Sequence, residues 1–205
     1  MDRRDFLALA TVACAGLVTK GENVIASTQN GQTKKKALPA PETDGGMTLA
    51  HAISLRRTER RYKNISLDLP LLSGLCWAAW GVNRPDVNRR TIPTAMNQQQ
   101  MLLYAACEDG VWRYDGREHS LHLVLDEDIR GYIDGSPLIL LYAVPEDDPY
   151  GAMHVGSSYQ NVGLLCAAKG LGNCVKIQYL HRVKGRIPLP EGYTVLITHS
   201  IGWPA

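Results

Sequence analysis

Apolar positions along the chain recur with two periods. Leu72, Leu75, Cys76, Ala79 and Trp80 fall three and four apart and predict a helix over about 69–80, because such residues share one helix face. Asp68 stands just before this run and Pro70 in its first turn. A side-chain acceptor and a missing N–H both suit a helix start. Gly81 marks the stop. Val155, Tyr159, Val162 and Cys166 repeat the pattern and predict a longer helix running to Lys169, with Gly170 just past its cap. Leu49 and Ile53 predict a short helix within 47–54.

The remaining apolar blocks read as strands. Residues 101–107 form an apolar run, and residues 138–144 follow Pro137 without a single charge, as a central strand would. Residues 111–114 and Leu121, Leu123 and Leu125 alternate on either side of Asp115-Gly116, which predicts a hairpin with an Asp-Gly turn. Further strands are expected at 174–177 and 193–200, with polar loops at 84–90 and 146–150. Helices and strands mix without strict alternation, so the fold class is α+β and not a doubly wound sheet.

At 205 residues and 45% apolar, the chain is sized for one domain with a real core. Its N-terminus reads differently. Arg3-Arg4 and Phe6-Leu7 precede an apolar run over 7–18, too short to span a bilayer comfortably. This layout resembles a twin-arginine export signal. Val24-Ile25-Ala26 places cleavage after Ala26, although a plain secretory signal or an uncleaved anchor also fits. The expected organisation is a signal peptide over 1–26, a flexible linker over 27–46 and a functional domain over 47–205. The mature protein is then periplasmic or otherwise exported, with no membrane attachment. Such export carries folded proteins, often with a cofactor inside. Lys34-Lys35-Lys36 in the linker reads as a solvated basic run. Outside the signal, Cys76, Cys107, Cys166 and Cys174 form no Cys-x-x-Cys and sit in apolar segments. Buried free thiols and disulfides both fit.

Two polar stretches could carry chemistry. Ser54 to Tyr62 gathers Arg56, Arg57, Arg60 and Arg61 around Thr58. Guanidinium groups fork onto phosphate oxygens, and a hydroxyl completes such a shell. Read alone, the stretch also fits a solvated turn or surface pairs with Glu59 and Asp68. Thr91 to Gln99 is a polar turn after which Asn97, Gln98, Gln99 and Gln100 cluster. Amides donate to and accept from the edge of a planar heteroaromatic ring, and a surface loop fits the cluster too. The net charge of +2 gives no bulk argument for nucleic acid. No aromatic residues interleave with the arginines as a single-strand platform requires, so no nucleic-acid partner is expected. Gly170-Leu171-Gly172-Asn173 is not a dinucleotide fingerprint, because it follows a helix instead of opening one. His119 and His122 fall on opposite faces of a hairpin, so no metal site is expected. No nucleophile with its base is visible, so a cofactor would carry any chemistry.

In order along the chain, several segments resemble the nitroreductase family of flavin mononucleotide (FMN) enzymes. Arg56-Arg57-Thr58-Glu59-Arg60-Arg61-Tyr62 is similar to the family's Arg-Arg-Ser-x-Arg-x-Tyr opening. Trp77 to Arg84, Arg90-Thr91-Ile92-Pro93-Thr94-Ala95-Met96-Asn97, Gly110 to Asp115, the 159–174 segment and Ile201-Gly202-Trp203-Pro204 continue the match. The resemblance implies a mainly antiparallel sheet flanked by helices, and a homodimer whose two chains form each of two equivalent sites. It implies that Arg56, Arg57, Thr58 and Arg60 bind the FMN phosphate and pyrimidine side, that Asn97 and Gln99 meet the ring edge, and that the backbone at Gly170 and Gly172 approaches the flavin. Electrons would pass from NAD(P)H through flavin to a small acceptor such as a nitroaromatic or quinone. The alternative is a nitroreductase-like protein that binds a flavin or phosphate ligand without turnover. The family's small Gly-Gly turn aligns here with Ile177-Gln178.

Overall fold

The computed structural model describes residues 34–44 and 46–205. The signal segment and the first part of the expected linker lie outside the described residues. In chain order the elements are β1 (Lys35–Ala37), α1 (Leu49–Leu55), α2 (Leu69–Trp80), β2 (Val82–Arg84), β3 (Arg89–Arg90), β4 (Leu102–Cys107), β5 (Gly110–Asp115), β6 (Ser120–Leu125), β7 (Leu138–Pro145), α3 (Gly151–Ala168), β8 (Gly172–Lys176), α4 (Leu180–Val183) and β9 (Tyr193–Gly202).

One seven-stranded sheet runs β1-β6-β5-β4-β7-β9-β8. Every pair within it is antiparallel. The uncharged strand β7 sits in its interior, between β4 and β9. Alternate side chains serve opposite faces. Leu138, Leu140, Tyr142 and Val144 join a core with Leu75, Trp80, Val155, Val162 and Cys166 from α2 and α3. Ile139, Leu141 and Ala143 join a second core closed by Ile129, Ile133, Val183 and Ile187. Burial on both faces is why β7 carries no charge and no alternation. The fold is α+β, as the sequence pattern and the resemblance imply.

Helix α2 has the expected bounds. Asp68 accepts from the Leu71 N–H and Pro70 lies in the first turn. Its C-terminal carbonyls are satisfied from α3 and the turn after β3. Ser158 donates to the Ala79 carbonyl at 2.7 Å, and Thr91 to those of Trp77 and Ala78. Glycine is needed at the helix end for a steric reason. Its backbone is extended, and a Cβ there would meet Trp77 Cδ1 at 2.3 Å. Gly170 has the left-handed φ of 71° expected after a helix cap, and the Leu171 N–H returns to the Cys166 carbonyl.

Four expectations are corrected. Residues 27–46 are not linker throughout, because Lys35–Ala37 pairs with β6 as an edge strand and Leu38 enters the core. The lysine run is not simply solvated: Lys34, Lys35 and Lys36 pair with Asp126, Glu118 and Asp109. The β5–β6 connection is not a tight Asp-Gly turn. It loops over residues 116–119 with His119 left-handed at φ 46°, and Asp115 accepts from the Arg117 and Glu118 N–H groups. Residues 84–90 form a small β2–β3 hairpin in place of an open loop.

Candidate functional site

The arginine-rich stretch leaves the end of α1 and runs beside β8. Thr58 bridges Asn173 in parallel, and the Glu59 N–H bonds the Asn173 carbonyl at 2.9 Å. Tyr62 locks the far end by donating to the Glu59 and Ser200 carbonyls. The segment thus extends the sheet edge, held by its Tyr62 and Glu59 side chains. Glu59 does not pair with the arginine side chains. Its carboxylate accepts from the backbone N–H groups of Arg61 and Arg60, which hold its pKa below the ordinary carboxylate value. Asp68 is committed to its helix cap. Among the described residues, Arg56, Arg57, Arg60 and Arg61 therefore have no carboxylate partner within salt-bridge reach. The surface pairs with Glu59 and Asp68 are not formed.

Arg57, Gly170 and Gly172 line one cavity of about 200 Å³ with Leu55, Glu59, Asn173 and Pro204. The stem of Arg56 crosses α3 next to Gly163 and the Asn173 amide. Gly172 is small for an internal reason. A Cβ there would stand 2.8 Å from Glu59 Cβ and Cγ, so its open side is filled by this chain's own arginine segment. Arg60 is exposed and does not line this cavity.

The amide turn lies elsewhere. Asn97 and Gln99 line a second cavity of about 440 Å³. Met96, Asn97 and Gln99 all take left-handed backbone angles, with φ of 48°, 57° and 50°. Three non-glycine residues in that region are strained and need outside support. Gln99 gives part of it, accepting from Arg90 Nε at 2.8 Å and donating to the Asn88 carbonyl and Asn97 Oδ1. Asn161 on α3 reaches the Thr91 carbonyl, and His154 Nε2 accepts the Ala95 N–H at 2.8 Å. His154 Nδ1 in turn faces Asp148 Oδ2 at 3.6 Å, with both side chains buried. Sequence reading missed this buried pair, because neither residue stands in a recognisable motif. His154 and Gly163 lie nine residues apart on α3, so the two polar stretches touch that helix about 14 Å apart along its axis.

Beneath the arginine segment lies a buried polar chain. The Tyr142 hydroxyl meets His199 Nδ1 at 3.1 Å, and His199 Nε2 donates to Asn173 Oδ1 at 3.0 Å. Burial pushes the His199 pKa down to about 3, so it stays neutral. Beside it Lys176, Ser200 and Ser136 donate to Asp134. Burial alone would raise that carboxyl's pKa, but these bonds outweigh it and hold the pKa below the ordinary value.

The four cysteines are free thiols. Burial raises Cys76 and Cys166, and pushes Cys107 up to about 12, so these three are not ready thiolates. His119 and His122 part as expected. His119 bonds Ser73, Tyr114 and the Pro39 carbonyl, while His122 turns to Glu118. Asp115, Glu118 and His122 approach within 4.8 Å of one another, with Lys35 seated on Glu118.

No protein-family model matches the chain. A curated relative, a candidate nitroreductase from Methanocaldococcus jannaschii, is 27% identical over 168 residues, covering 69% of this chain and 83% of the relative. The crystal structure of a candidate nitroreductase from Ralstonia eutropha JMP134 superposes with a TM-score of 0.78 at 29% identity, over 85% of this chain and 92% of that one. A Bacteroides fragilis nitroreductase with bound FMN shares the fold alone, at 13% identity and a TM-score of 0.54 over 77% of this chain and 88% of that one. The fold is nitroreductase-like, and the first two relatives support the nitroreductase family and an oxidoreductase activity.

Proposed function

We propose that the protein is an FMN-dependent oxidoreductase of nitroreductase type, passing electrons from NAD(P)H to a small acceptor such as a nitroaromatic or quinone. The observation that carries this reading is the set of guanidinium groups, Arg56, Arg57 and Arg60, held beside Thr58 on a sheet-edge segment without carboxylate partners. Cations held without counter-charges suit a phosphate. In this reading they hold the FMN phosphate, Arg57 from the cavity that the Gly170 and Gly172 backbone walls and Arg56 and Arg60 from outside it. Asn97 offers its amide to the ring edge, and Gln99 holds that turn in place. The flavin supplies hydride acceptance and donation when bound, and the chain's task is to position it. Arg57 of the first set and the amides of the second line separate cavities of one chain. This supports a site shared by two chains in a homodimer, the arginine segment from one and the amide turn from the other.

Recording the visible spectrum of purified protein, before and after FMN addition, tests the assignment. Flavin bands that remain with the protein through gel filtration are expected, and they should weaken in Arg56→Ala/Arg60→Ala. Protein that stays colourless after FMN addition and filtration overturns it. A second reading, flavin binding without turnover, draws on Ile177, which is 65% exposed just beyond β8 where the family often has glycine. NADH or NADPH oxidation with a quinone or nitroaromatic acceptor decides against that reading. We further propose export through the Arg3-Arg4 signal. Replacing both arginines by lysine should trap the precursor inside the cell, and unchanged secretion would contradict it.

A further inference from the structure

A further cavity lies away from both polar stretches, between α2, the end of α3 and the segment that follows β1. It measures about 290 Å³ and shares only Leu171 with the cavity that Arg57 lines. None of the residues given to the flavin faces it. Leu71, Leu75, Trp77 and Leu165 give it apolar walls, and Pro41 closes the outer side. Trp77 spends its Nε1–H on the Val82 carbonyl, so it offers the cavity its ring and no donor. Gly74 lines the same space from the middle of α2. Glycine inside a helix weakens it relative to alanine, so its presence needs a reason. Close packing of α3 is not that reason. A Cβ at Gly74 would meet only Leu165 Cδ2, at 3.5 Å, which is an ordinary contact. A methyl group is therefore tolerated, and the effect of the glycine is to leave open a space that a packed interior normally fills.

The rim of this cavity is polar and can part. Glu42 and Lys169 pair at the rim, both exposed. An exposed pair is worth little, so the segment carrying Glu42 can open and re-form around an entering molecule. Its other end stays tied, because Ser73 donates to the Pro39 carbonyl. The two rim charges cancel, and Asp68 is committed to the Leu71 N–H. Burying a further, unpaired charge among the apolar walls is unfavourable, so the cavity selects a neutral ligand. Water is poorly served there as well, since it needs several polar partners. A dry apolar cavity of about 150 Å³ already holds benzene, so this one has room for a second ring. A hydroxyl on such a ring finds the Glu42 carboxylate as acceptor at the rim.

We propose that this cavity is a binding site for a small neutral aromatic molecule the size of a hydroxylated naphthalene. It uses no residue assigned to the flavin and does not depend on flavin binding. Calorimetry of the purified full chain with 2-naphthol tests it, with naphthalene-2-sulfonate as the charged counterpart. Wild type should bind 2-naphthol saturably, with a dissociation constant of about 100 µM or tighter. The sulfonate should bind at least tenfold more weakly. Gly74→Leu fills the cavity from α2 and should weaken 2-naphthol binding at least tenfold. Its melting temperature should rise by about 2–4 °C, because the helix gains a better former and the cavity shrinks. Gly74→Ala should show a similar rise with a smaller loss of binding, which separates filling of the cavity from overpacking by leucine. Wild type that shows no saturable binding overturns the proposal, and so does equal binding of the sulfonate. Displacement of 2-naphthol by FMN, or undiminished binding to Gly74→Leu, overturns it too.

Discussion

His199 is fully enclosed between Tyr142 and Asn173, and burial holds its pKa at about 3 against an ordinary 6.5. Above pH 6.5 it is neutral in both the folded and unfolded chain, and its contribution to stability is complete. As pH falls from 6.5 toward 3 only the unfolded chain gains the proton, so stability drops by about 1.4 kcal/mol per pH unit from this group. Thermal unfolding between pH 7 and 4.5 should show that loss. His199→Gln should flatten it, and an unchanged slope in the variant would show that other groups set it. The Asp148–His154 pair acts on the other stretch. His154 Nε2 accepts the Ala95 N–H, so its proton sits on Nδ1, facing Asp148. Replacing His154 by Phe leaves the Ala95 N–H without its acceptor and Asp148 Oδ2 without the facing imidazole, while Asp148 Oδ1 keeps the Tyr150 N–H. That should cost about 2–4 kcal/mol of stability and speed hydrogen exchange at Ala95. Exchange at Ala95 as slow as in wild type would show that the turn does not lean on His154.

Among the elements, β8 and the arginine segment leave no room for a Cβ at Gly172. Gly172→Ala places a methyl against Glu59, so the segment must move outward. A loss of about 1–3 kcal/mol in unfolding free energy is expected, together with weaker flavin retention, and wild-type values for both would contradict the account. Strand β1 makes a complementary case at the opposite sheet edge. Leu38→Ala should cost about 2–3 kcal/mol, because Leu38 packs with Leu72 and Leu121 in the main core. A free linker would lose nothing. The contrast shows which signals the sequence carries. Helices α2 and α3 and strand β7 were legible because their burial pattern and caps are local. Strand β1 was not, since lysines facing acids in distant turns and loops look identical to lysines facing water. The left-handed turn at 96–99 was also hidden, because its support comes from Arg90, Asn161 and His154, distant in sequence. The arginines and amides were singled out as residues. That Arg57 and the amides line separate cavities was visible only once the chain was folded.

For the molecule as a whole, a shared site requires a second chain, and the exposed apolar side chains indicate where it would dock. Leu49 and Ile53 stand one helical turn apart on α1 at 65% and 56% exposure, with Leu55 at 47% just before the arginine segment. A stripe of this kind loses favourable burial while it faces water, and covering it recovers about 25 cal/mol per Å². Its position beside Arg56 couples docking to the site, since a partner seated on α1 would also close the cavity that Arg57 lines. Leu49→Glu/Ile53→Glu should therefore shift sedimentation from dimer to monomer at micromolar concentration and weaken flavin retention at the same time. The circular dichroism spectrum should not change, because both residues lie outside the core. A variant that stays dimeric would move the interface away from α1. A monomer that still holds FMN as tightly as wild type would show that one chain builds the flavin site by itself.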